Sequence, residues 1–293
     1  MTYAMNGGTE SPARIGSIMS DRATCTNLPR GQRRRFEGRL PTAARFAVAG
    51  QVPPQLTECL SLADRVRTAL MSRSDGAQVF SGKSEAGEPL QGNRHAFILA
   101  EANSRHGRIS HVTLYAPMGF DDTARSAMDG LRNVWGRGGH DVQLVLLGVG
   151  HPEDFAGMNV GVGQCTLFAT SNTWVSRTPF IPTRHAKATR RGEPKLDDNG
   201  LQVGSPQHDL RRLLRAEGFP EPVNVTPVES TNLGGKQVRW LEFRTLRQSG
   251  VGARSTNRGF GFRVVFPTMV RGPVAVGYGA HFGMGVFEPA LHG

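Results

Sequence analysis

The sequence predicts an α+β fold that consists of two tandem ferredoxin-like (RRM-like, βαββαβ) domains with a C-terminal glycine-rich loop. Three observations lead to this prediction: strand and helix patterns alternate in the βαββαβ order, a second set of strands follows a linker, and four glycines cluster near the C-terminus. A chain of 293 residues is long enough for two small domains. We therefore expect a first domain at residues 40–155 and a second, degenerate domain at residues 170–293.

The first domain is predicted from hydrophobic periodicity and from capping residues. A proline pair at 53–54 precedes apolar residues at helical spacing, and Asp121 or Asp122 can cap a second helix. Because this fold covers one face of an antiparallel sheet with two helices, we expect the other face to be open. The strand candidates are Ala43–Ala49, His95–Ala100, Ile109–Ala116 and Asp141–Val149.

The second domain is predicted from one capped helix and a set of strands. Ser205 followed by Pro206 is typical of a helix start, and Gly218 is typical of a helix end. The strand candidates are Thr173–Ile181, Val223–Val228, Val238–Thr245, Phe260–Met269 and Pro273–Tyr278.

Two basic segments lack hydrophobic periodicity. Residues 1–39 end in an arginine-rich run and are predicted to be a poorly ordered arm. The segment 184–191 is too basic for a core, and we expect it to become ordered only on an acidic partner. The formal net charge of +11 favours a polyanion as that partner.

Composition and motif content exclude several classes of protein. The three cysteines lie far apart and form no CxxC pair, which argues against a disulfide framework and a zinc site and fits a reducing cytoplasm. No apolar run reaches the roughly 18 residues that a membrane span needs, so no membrane partner is expected. Motifs of nucleotide hydrolases, zinc proteases and serine hydrolases are absent, and the carboxylates show no metal-site spacing. We therefore expect neither a cofactor nor a metal.

One strand candidate carries a row of polar side chains. Because successive side chains of a strand alternate between faces, His111, Thr113 and Tyr115 share one face, and Val112 and Leu114 share the other. If the apolar pair faces the helices, the polar row lies on the open face of the sheet.

Histidines supply the candidates for catalysis. His95, at the start of the neighbouring strand, can join His111 if the strand register brings the two together. Two imidazoles with Arg94 or Arg108 nearby can act as general base, general acid and phosphate clamp in RNA transesterification. The alternative is that each histidine only satisfies a backbone group at a strand edge.

The glycine cluster has the spacing G-x-G-x-x-x-G-x-G and surrounds His281. Glycines at this density let the backbone come close to a bulky group, and with this excess of cations a phosphate chain is the expected group. A dinucleotide site is not expected, since no helix follows the cluster. The four glycines are Gly277, Gly279, Gly283 and Gly285.

Taken together, these features resemble the CRISPR-associated repeat-cleaving endoribonucleases of the RAMP superfamily. The similarity is greatest to the nuclease half of the fused type I-U (I-G) subunit that binds the 5′ handle of the guide RNA and processes the repeat. The resemblance runs from about residue 39 onward, and Ala49–Ser72 departs from it by lacking the histidine that the family often carries near its first helix. The matching segments are Phe80–Lys83, Gly92–Phe97, Gly107–Pro117, Trp174–Arg184 and Gly277–Phe287.

The resemblance implies metal-independent cleavage of CRISPR repeat RNA. In that reaction the 2′-hydroxyl attacks the adjacent phosphate and gives a 2′,3′-cyclic phosphate and a 5′-hydroxyl. For this sequence it implies catalysis by His111 first and His95 second, with Tyr115 and His281 as further candidates. The RNA-binding candidates are Arg94, Arg108, Arg184, Lys187, Arg190, Arg191 and the four glycines of the cluster.

The resemblance also implies partners. These are the repeat or guide RNA, whose 3′ hairpin the protein keeps, the other subunits of a Cascade-like effector complex and, through that complex, target DNA. Residues 1–39 would then be either the basic arm or the vestige of a handle-binding module.

Two other functions fit parts of the sequence. The same fold without catalysis would hold guide RNA as a structural subunit of the complex. The segment from His111 to Leu114 also fits the H-x-T-x element of two-histidine phosphoesterases. That chemistry requires a second such element facing the first, and the sequence contains none.

Overall fold

The structure, a computed structural model, describes residues 38–50, 52–104, 106–135, 141–156, 165–245 and 256–290. The predicted arm at 1–39 lies outside these ranges, apart from its last two residues. From Arg39 onward the described residues form one compact unit. It is a mixed α and β architecture with antiparallel sheets.

The strands and helices predicted for the first half are present close to their predicted positions. A single 3-10 turn, Leu56–Glu58, follows the proline pair and leads into the first helix. The carboxylate of Asp121 caps the third helix by accepting a hydrogen bond from the backbone nitrogen of Ala124 at 2.7 Å. In chain order the elements are β1 (Ala43–Ala49), α1 (Cys59–Arg73), α2 (Gln78–Ser81), β2 (Phe97–Glu101), β3 (His111–Tyr115), α3 (Asp122–Asp129), β4 (Asn133–Val134), β5 (Val142–Gly150) and α4 (Pro152–Phe155).

The first sheet has the strand order β2-β3-β1-β5-β4. Val112 and Leu114 of β3 belong to the same buried cluster as Leu60 and Val66 of α1 and Met128 of α3. The predicted alternation along β3 is therefore confirmed, with the apolar pair facing the helices and the polar row on the opposite face.

That opposite face is covered, so the prediction of an open face is wrong. Thr113 is fully buried, and His111 is only 8% exposed. The ring of Tyr115 meets the ring of Phe168 at 6.0 Å between centroids, and Val286 from the last strand joins the same cluster. Periodicity indicates which residues share a face, but it carries no information about the distant segment that packs against that face.

A buried ion pair connects three strands of this covered face. Arg45 of β1 donates through Nε and Nη2 to the two carboxylate oxygens of Glu101 of β2, at 3.1 and 2.8 Å. The hydroxyl of Thr113, on β3 between them, donates to the same carboxylate. The side chains of Arg45 and Glu101 are 2% and 0% exposed.

The second half contains the predicted helix and a second set of strands. The hydroxyl of Ser205 caps the helix by accepting from the backbone nitrogen of His208, and Gly218 follows the helix end in a left-handed conformation with φ of 85°. The elements are β6 (Thr170–Ser176), α5 (Pro206–Ala216), β7 (Asn224–Val228), β8 (Ser230–Leu233), β9 (Lys236–Arg239), β10 (Gly261–Arg271), β11 (Val274–Ala275) and β12 (Val286–Pro289).

The second sheet repeats the strand arrangement of the first. Its order is β11-β12-β6-β10-β7, so β12, β6, β10 and β7 occupy the places that β5, β1, β3 and β2 occupy in the first sheet. The connection from β10 to β12 contains β11 and the glycine cluster in place of a helix. Strands β8 and β9 form a separate hairpin. The division into two domains at residues 155 and 170 stays a prediction.

Several predicted strands are shorter in the structure, and two of them have a clear physical reason. Strand β9 ends at Arg239 because the side chain of Trp240 turns inward. Its indole N–H donates to the carbonyl of Val228 at 2.6 Å. Its ring fills the space that a side chain at Gly261 would need. The predicted strand Pro273–Tyr278 is reduced to β11, since Gly277 leaves the strand conformation with φ of 101°.

The basic segment belongs to a hydrogen-bonded loop in the structure, and the expectation that it becomes ordered only on an acidic partner stays a prediction. We call residues 184–203 the basic hairpin. Backbone hydrogen bonds connect its parts: Lys187 N donates to Val203 O at 2.8 Å, Lys195 N donates to Lys187 O at 3.0 Å, and Thr189 N donates to Glu193 O at 2.8 Å. The cations predicted to bind RNA are exposed on it, at Arg184, Lys187, Arg190 and Arg191.

The thiols of Cys59 and Cys165 are buried and free, whereas Cys25 lies outside the described ranges. In the described part of the chain, no helix combines the length and the apolar character of a membrane span.

Candidate active site

The glycine cluster turns back across the first sheet. All four of its glycines have positive φ, and a 3-10 turn, Ala280–Phe282, lies between Gly279 and Gly283. The hydroxyl of Thr178 donates to the carbonyl of Gly283 at 2.8 Å, and a β-carbon on Gly283 would lie 3.2 Å from the carbonyl oxygen of Ile98 in β2. Only glycine fits this approach without displacing its neighbours. The turn therefore brings His281 to the start of β2.

Two predicted catalytic residues meet there. The imidazole of His281 stacks on that of His95, with ring centroids 3.6 Å apart and planes inclined by 14°. The other face of His281 lies against Phe97, at 4.0 Å between centroids. A β-carbon on Gly82 would lie 3.0 Å from the His95 ring, so Gly82 covers the outer face of that ring. We call His95, His281 and Phe97 the histidine stack.

The ring edges of the stack have different partners. Nδ1 of His281 lies 3.3 Å from the carbonyl oxygen of Ala96, and Nε2 lies 3.3 Å from Oδ1 of Asn93, which is exposed. Nδ1 of His95 is buried and has no hydrogen-bond partner among the described residues. Since both ring faces are covered, a ligand can reach these imidazoles only at their edges.

Both imidazoles are neutral at pH 7. Burial, reinforced by the charge of Arg67, lowers the pKa of His95 to about 4. Burial and the neighbouring His95 and Arg67 lower the pKa of His281 to about 3, against the opposing effect of the Ala96 carbonyl. A neutral imidazole can accept a proton, so the pair is in the form that a general base requires.

Arg67 of α1 supports both sides of the stack. Its Nε donates to the carbonyl of Phe80 at 2.8 Å, and its Nη2 donates to the carbonyl of Ser81, next to Gly82. Its guanidinium carbon lies 5.5 Å from the ring centroid of Phe282, next to His281. The side chain thus connects the turn under His95 to the turn that carries His281.

Tyr115 lies at the same end of the sheet. Its ring centroid is 6.3 Å from that of Phe97, its partner in the β2–β3 register. Burial raises the pKa of its hydroxyl, which therefore keeps its proton at neutral pH.

His111, the first candidate from the sequence, lies at the other end of the strand pair. It faces Glu101 in the register, and His95 lies before Phe97 at the opposite end of β2. Phe97 and Glu101, at the two ends of β2, are already separated by four residues of extended chain, or about 13 Å. Nδ1 of His111 is 3.0 Å from the Ser110 hydroxyl, and burial and the charge of Arg45 lower its pKa. The structure therefore separates His111 from His95 and pairs His95 with His281.

The arginines predicted to bind RNA near the two histidine candidates also lie at different ends of the first sheet. Arg94 is exposed beside the histidine stack. Arg108 lies at the His111 end and donates to the carbonyl of Pro53 at 2.7 Å. The basic hairpin begins shortly after Ile181, whose carbonyl accepts from the backbone nitrogen of Tyr278 in the glycine cluster at 2.9 Å.

The four glycines also differ in exposure. Gly277 and Gly279 are partly exposed, whereas Gly283 and Gly285 are buried against the protein backbone. A β-carbon on Gly285 would lie 2.0 Å from the carbonyl oxygen of Val276. RNA contact by the cluster stays a prediction, and its exposed part is the first pair.

The sequence did not assign roles to Arg67, Gly82 or Asn93. Gly82 and Asn93 lie in segments that carry the family resemblance, so a signal for them existed. Arg67 lies on the helical pattern of α1 as one of several polar residues, and no sequence signal distinguishes it.

We expect the histidine stack to make stability depend on pH. The pKa of an unfolded histidine is about 6.5, whereas His95 and His281 have values of about 4 and about 3 in the folded protein. Between the pKa of an unfolded histidine and the pKa values in the folded protein, the folded state therefore binds fewer protons than the unfolded state. The two histidines contribute their full stability above the unfolded pKa, and this stability is lost as the pH falls toward the pKa values of the folded protein. Between pH 7 and 4.5, the melting temperature should fall by about 10 °C more in the wild type than in a His95→Phe/His281→Phe variant.

Differential scanning calorimetry measures this difference directly. The phenylalanine pair keeps the stacking but has no proton to bind, so the remaining titrating groups act alike in both proteins. Equal pH dependence in the two would contradict the depressed pKa values.

Comparisons with known proteins give low-identity likenesses only. No protein-family model matches the chain, and no curated protein matches its sequence. Among solved structures, the chain is similar to a RAMP protein described as binding different RNA substrates, with 12% identity, 85% of this chain and 99% of that chain covered, and a TM-score of 0.35. It is also similar to a CRISPR-associated protein Cas6 (9% identity, 86% and 99% covered, TM-score 0.37) and to a Cas6 product complex (14% identity, 86% and 100% covered, TM-score 0.34). Likenesses at this level establish no activity for this chain.

Proposed function

We propose that this protein is a metal-independent endoribonuclease that cleaves CRISPR repeat RNA and keeps the 3′ hairpin as a subunit of an effector complex. The observation that carries the proposal is the histidine stack, which joins two of the predicted catalytic residues at a surface edge beside exposed cations. We further propose that the two sheets are tandem ferredoxin-like domains of the RAMP type, which their shared strand order supports. The resemblance of the sequence to the type I-U (I-G) nuclease half supports the subtype.

The proposed reaction needs one proton acceptor and one proton donor. The 2′-hydroxyl of the RNA gives its proton to Nε2 of neutral His281, and its oxygen attacks the adjacent phosphorus. The bond from phosphorus to the 5′ oxygen breaks, and that oxygen takes a proton from Tyr115. The products are a 2′,3′-cyclic phosphate and a 5′-hydroxyl, and solvent restores the protonation of both side chains.

His95 and Arg67 have supporting roles in this proposal. The ring of His95 holds that of His281 in place by stacking, whereas burial and the charge of Arg67 keep His281 neutral, the form that accepts a proton. We assign no role to His111 in this reaction, because it is buried and lies at the end of β3 opposite to Tyr115 and the histidine stack.

RNA would be bound by exposed cations on both sides of the stack. Arg94 lies beside His95, and the basic hairpin follows the strand segment that contacts Tyr278. Phosphates are the natural ligands of such a surface, since each one contacted releases a counterion and adds to affinity. Gly277 and Gly279 are partly exposed and would allow the close approach of a backbone.

A catalytically inactive RNA-binding subunit is the second candidate function. One observation favours it: both ring nitrogens of His281 lie within hydrogen-bond distance of protein oxygens, as they would in a histidine with a purely structural role. The basic hairpin would serve this function equally well.

Incubation of the full chain with repeat-hairpin RNA in EDTA tests the proposal. We expect a single cut whose 5′ product ends in a 2′,3′-cyclic phosphate, which mass spectrometry of the fragments identifies. Binding without cutting, weakened steeply by salt, would instead support the inactive subunit. Cleavage that EDTA abolishes would contradict the mechanism.

A further inference from the structure

Asn93 holds an unusual position beside the histidine stack. It lies in the turn before β2 with φ of 46°, in the left-handed region where asparagine is enriched. Its Nδ2 donates a hydrogen bond to Oε1 of Glu217, the residue that follows α5. Because the amide nitrogen faces Glu217, the amide oxygen is directed to the other side, where Nε2 of His281 lies at 3.3 Å.

The ring of His281 therefore faces two acceptors. One is the carbonyl of Ala96, which is 4% exposed as a residue, and the other is the exposed Oδ1 of Asn93. A neutral imidazole has one N–H and can satisfy only one of them. The ring N–H is expected to donate to the buried carbonyl of Ala96, because water can hydrogen-bond to the amide oxygen of Asn93 but cannot reach this carbonyl. The hydrogen thus belongs on Nδ1, and the lone pair of Nε2 points to the surface beside Asn93.

We propose that Asn93 is a positioning residue for His281: its amide, oriented by Glu217, accepts the hydrogen that Nε2 carries after His281 has taken up the proton of the RNA 2′-hydroxyl. This inference rests on the proposed function. When the hydroxyl oxygen has moved into its new bond to phosphorus, the Nε2–H faces Oδ1 of Asn93. Imidazolium can donate to Ala96 and Asn93 at once, so the geometry fits the protonated form better than the neutral one.

Other charged groups act on the same ring. His95 lies against one face, and Arg67 of α1 opposes a positive charge on His281. Glu217 of α5 acts through Asn93, and the Ala96 carbonyl favours the charge. Phe97 covers the remaining face and is neutral. Asn93 is thus a group whose replacement changes proton transfer without touching the stacked rings.

Two variants test the proposal in opposite directions. Asn93→Gly removes the acceptor and tolerates the left-handed backbone, and we expect kcat to fall by about tenfold with KM unchanged. Asn93→Asp combined with Glu217→Gln keeps the net charge of the pair and lets the new amide donate to the new carboxylate. That carboxylate should raise the pH midpoint of the acidic limb of kcat by about one pH unit. Asn224→Asp combined with Glu229→Gln makes the same pair of changes at exposed positions and serves as the control.

Nitrogen-15 NMR of the ring of His281 gives a readout that does not require cleavage. At pH 7 the wild type should show the Nδ1–H tautomer, and the titration midpoint of His281 should rise in the double variant. If the wild type bound RNA without cutting it, these two results would still support the orientation of His281 by Asn93, and the proposed function would fail. The Nε2–H tautomer, an unmoved midpoint, or a change in KM alone would overturn the role of Asn93.

Discussion

Replacing His281 by alanine is expected to lower the rate of repeat-RNA cleavage by a factor of about 10²–10⁴, the usual contribution of a general base. The imidazole accepts the proton of the attacking hydroxyl in the proposed reaction, and no other described side chain occupies its place at the edge of the stack. Hairpin binding should change little, because the exposed cations remain. Single-turnover cleavage and filter binding measure the two effects separately.

Matched variants separate catalysis from packing. His281→Phe keeps the stack against His95 and Phe97, so a comparable loss of cleavage assigns the loss to the proton acceptor. His95→Phe should retain part of the rate, since the proposed role of His95 is to support the ring. His111→Ala should cut RNA at nearly the wild-type rate once its folding has been verified. Full activity of His281→Phe together with an inactive His111 variant would return catalysis to the strand that the sequence favours.

Replacing Glu101 by alanine is expected to lower the free energy of unfolding by about 3–5 kcal/mol. The change leaves the buried guanidinium of Arg45 without its carboxylate and removes the acceptor of the Thr113 hydroxyl. Both effects act inside the covered face, where water cannot replace the lost partner. Urea unfolding followed by circular dichroism gives the difference.

The control is the apolar double variant Arg45→Met/Glu101→Leu. It removes both charges together and should recover most of the lost stability, because no isolated charge stays buried. A loss in Glu101→Ala below about 1 kcal/mol, the range of an exposed pair, would show that the ion pair is not enclosed as the structure describes.

Local order was predictable from the sequence because it depends on neighbours along the chain. The apolar spacing from Leu56 to Leu70 places the buried stripe of α1, and Ser205 with Pro206 marks the start of α5. Asp121 caps α3 as predicted. Each of these features is determined within one or two helical turns.

The arrangement of the candidate site was not predictable in the same way. Asn93 and His281 are 188 positions apart in the sequence, and their contact depends on how the glycine cluster packs against β2. Alternation correctly grouped His111 with Thr113, but the burial of that face follows from segments outside the strand. The proposed catalytic contact thus joins two distant parts of the chain, whereas alternation can group only residues within one strand.

The stacking of His95 on His281 has a consequence for folding kinetics. The contact closes a long loop, and contacts of high sequence separation form late and slowly. A chain that has formed only the first sheet holds His95 but has no complete proton-transfer site. The proposed site therefore forms only when both His95 and the glycine cluster have reached their folded positions, and a chain that has folded only its first sheet could not carry out the proposed reaction.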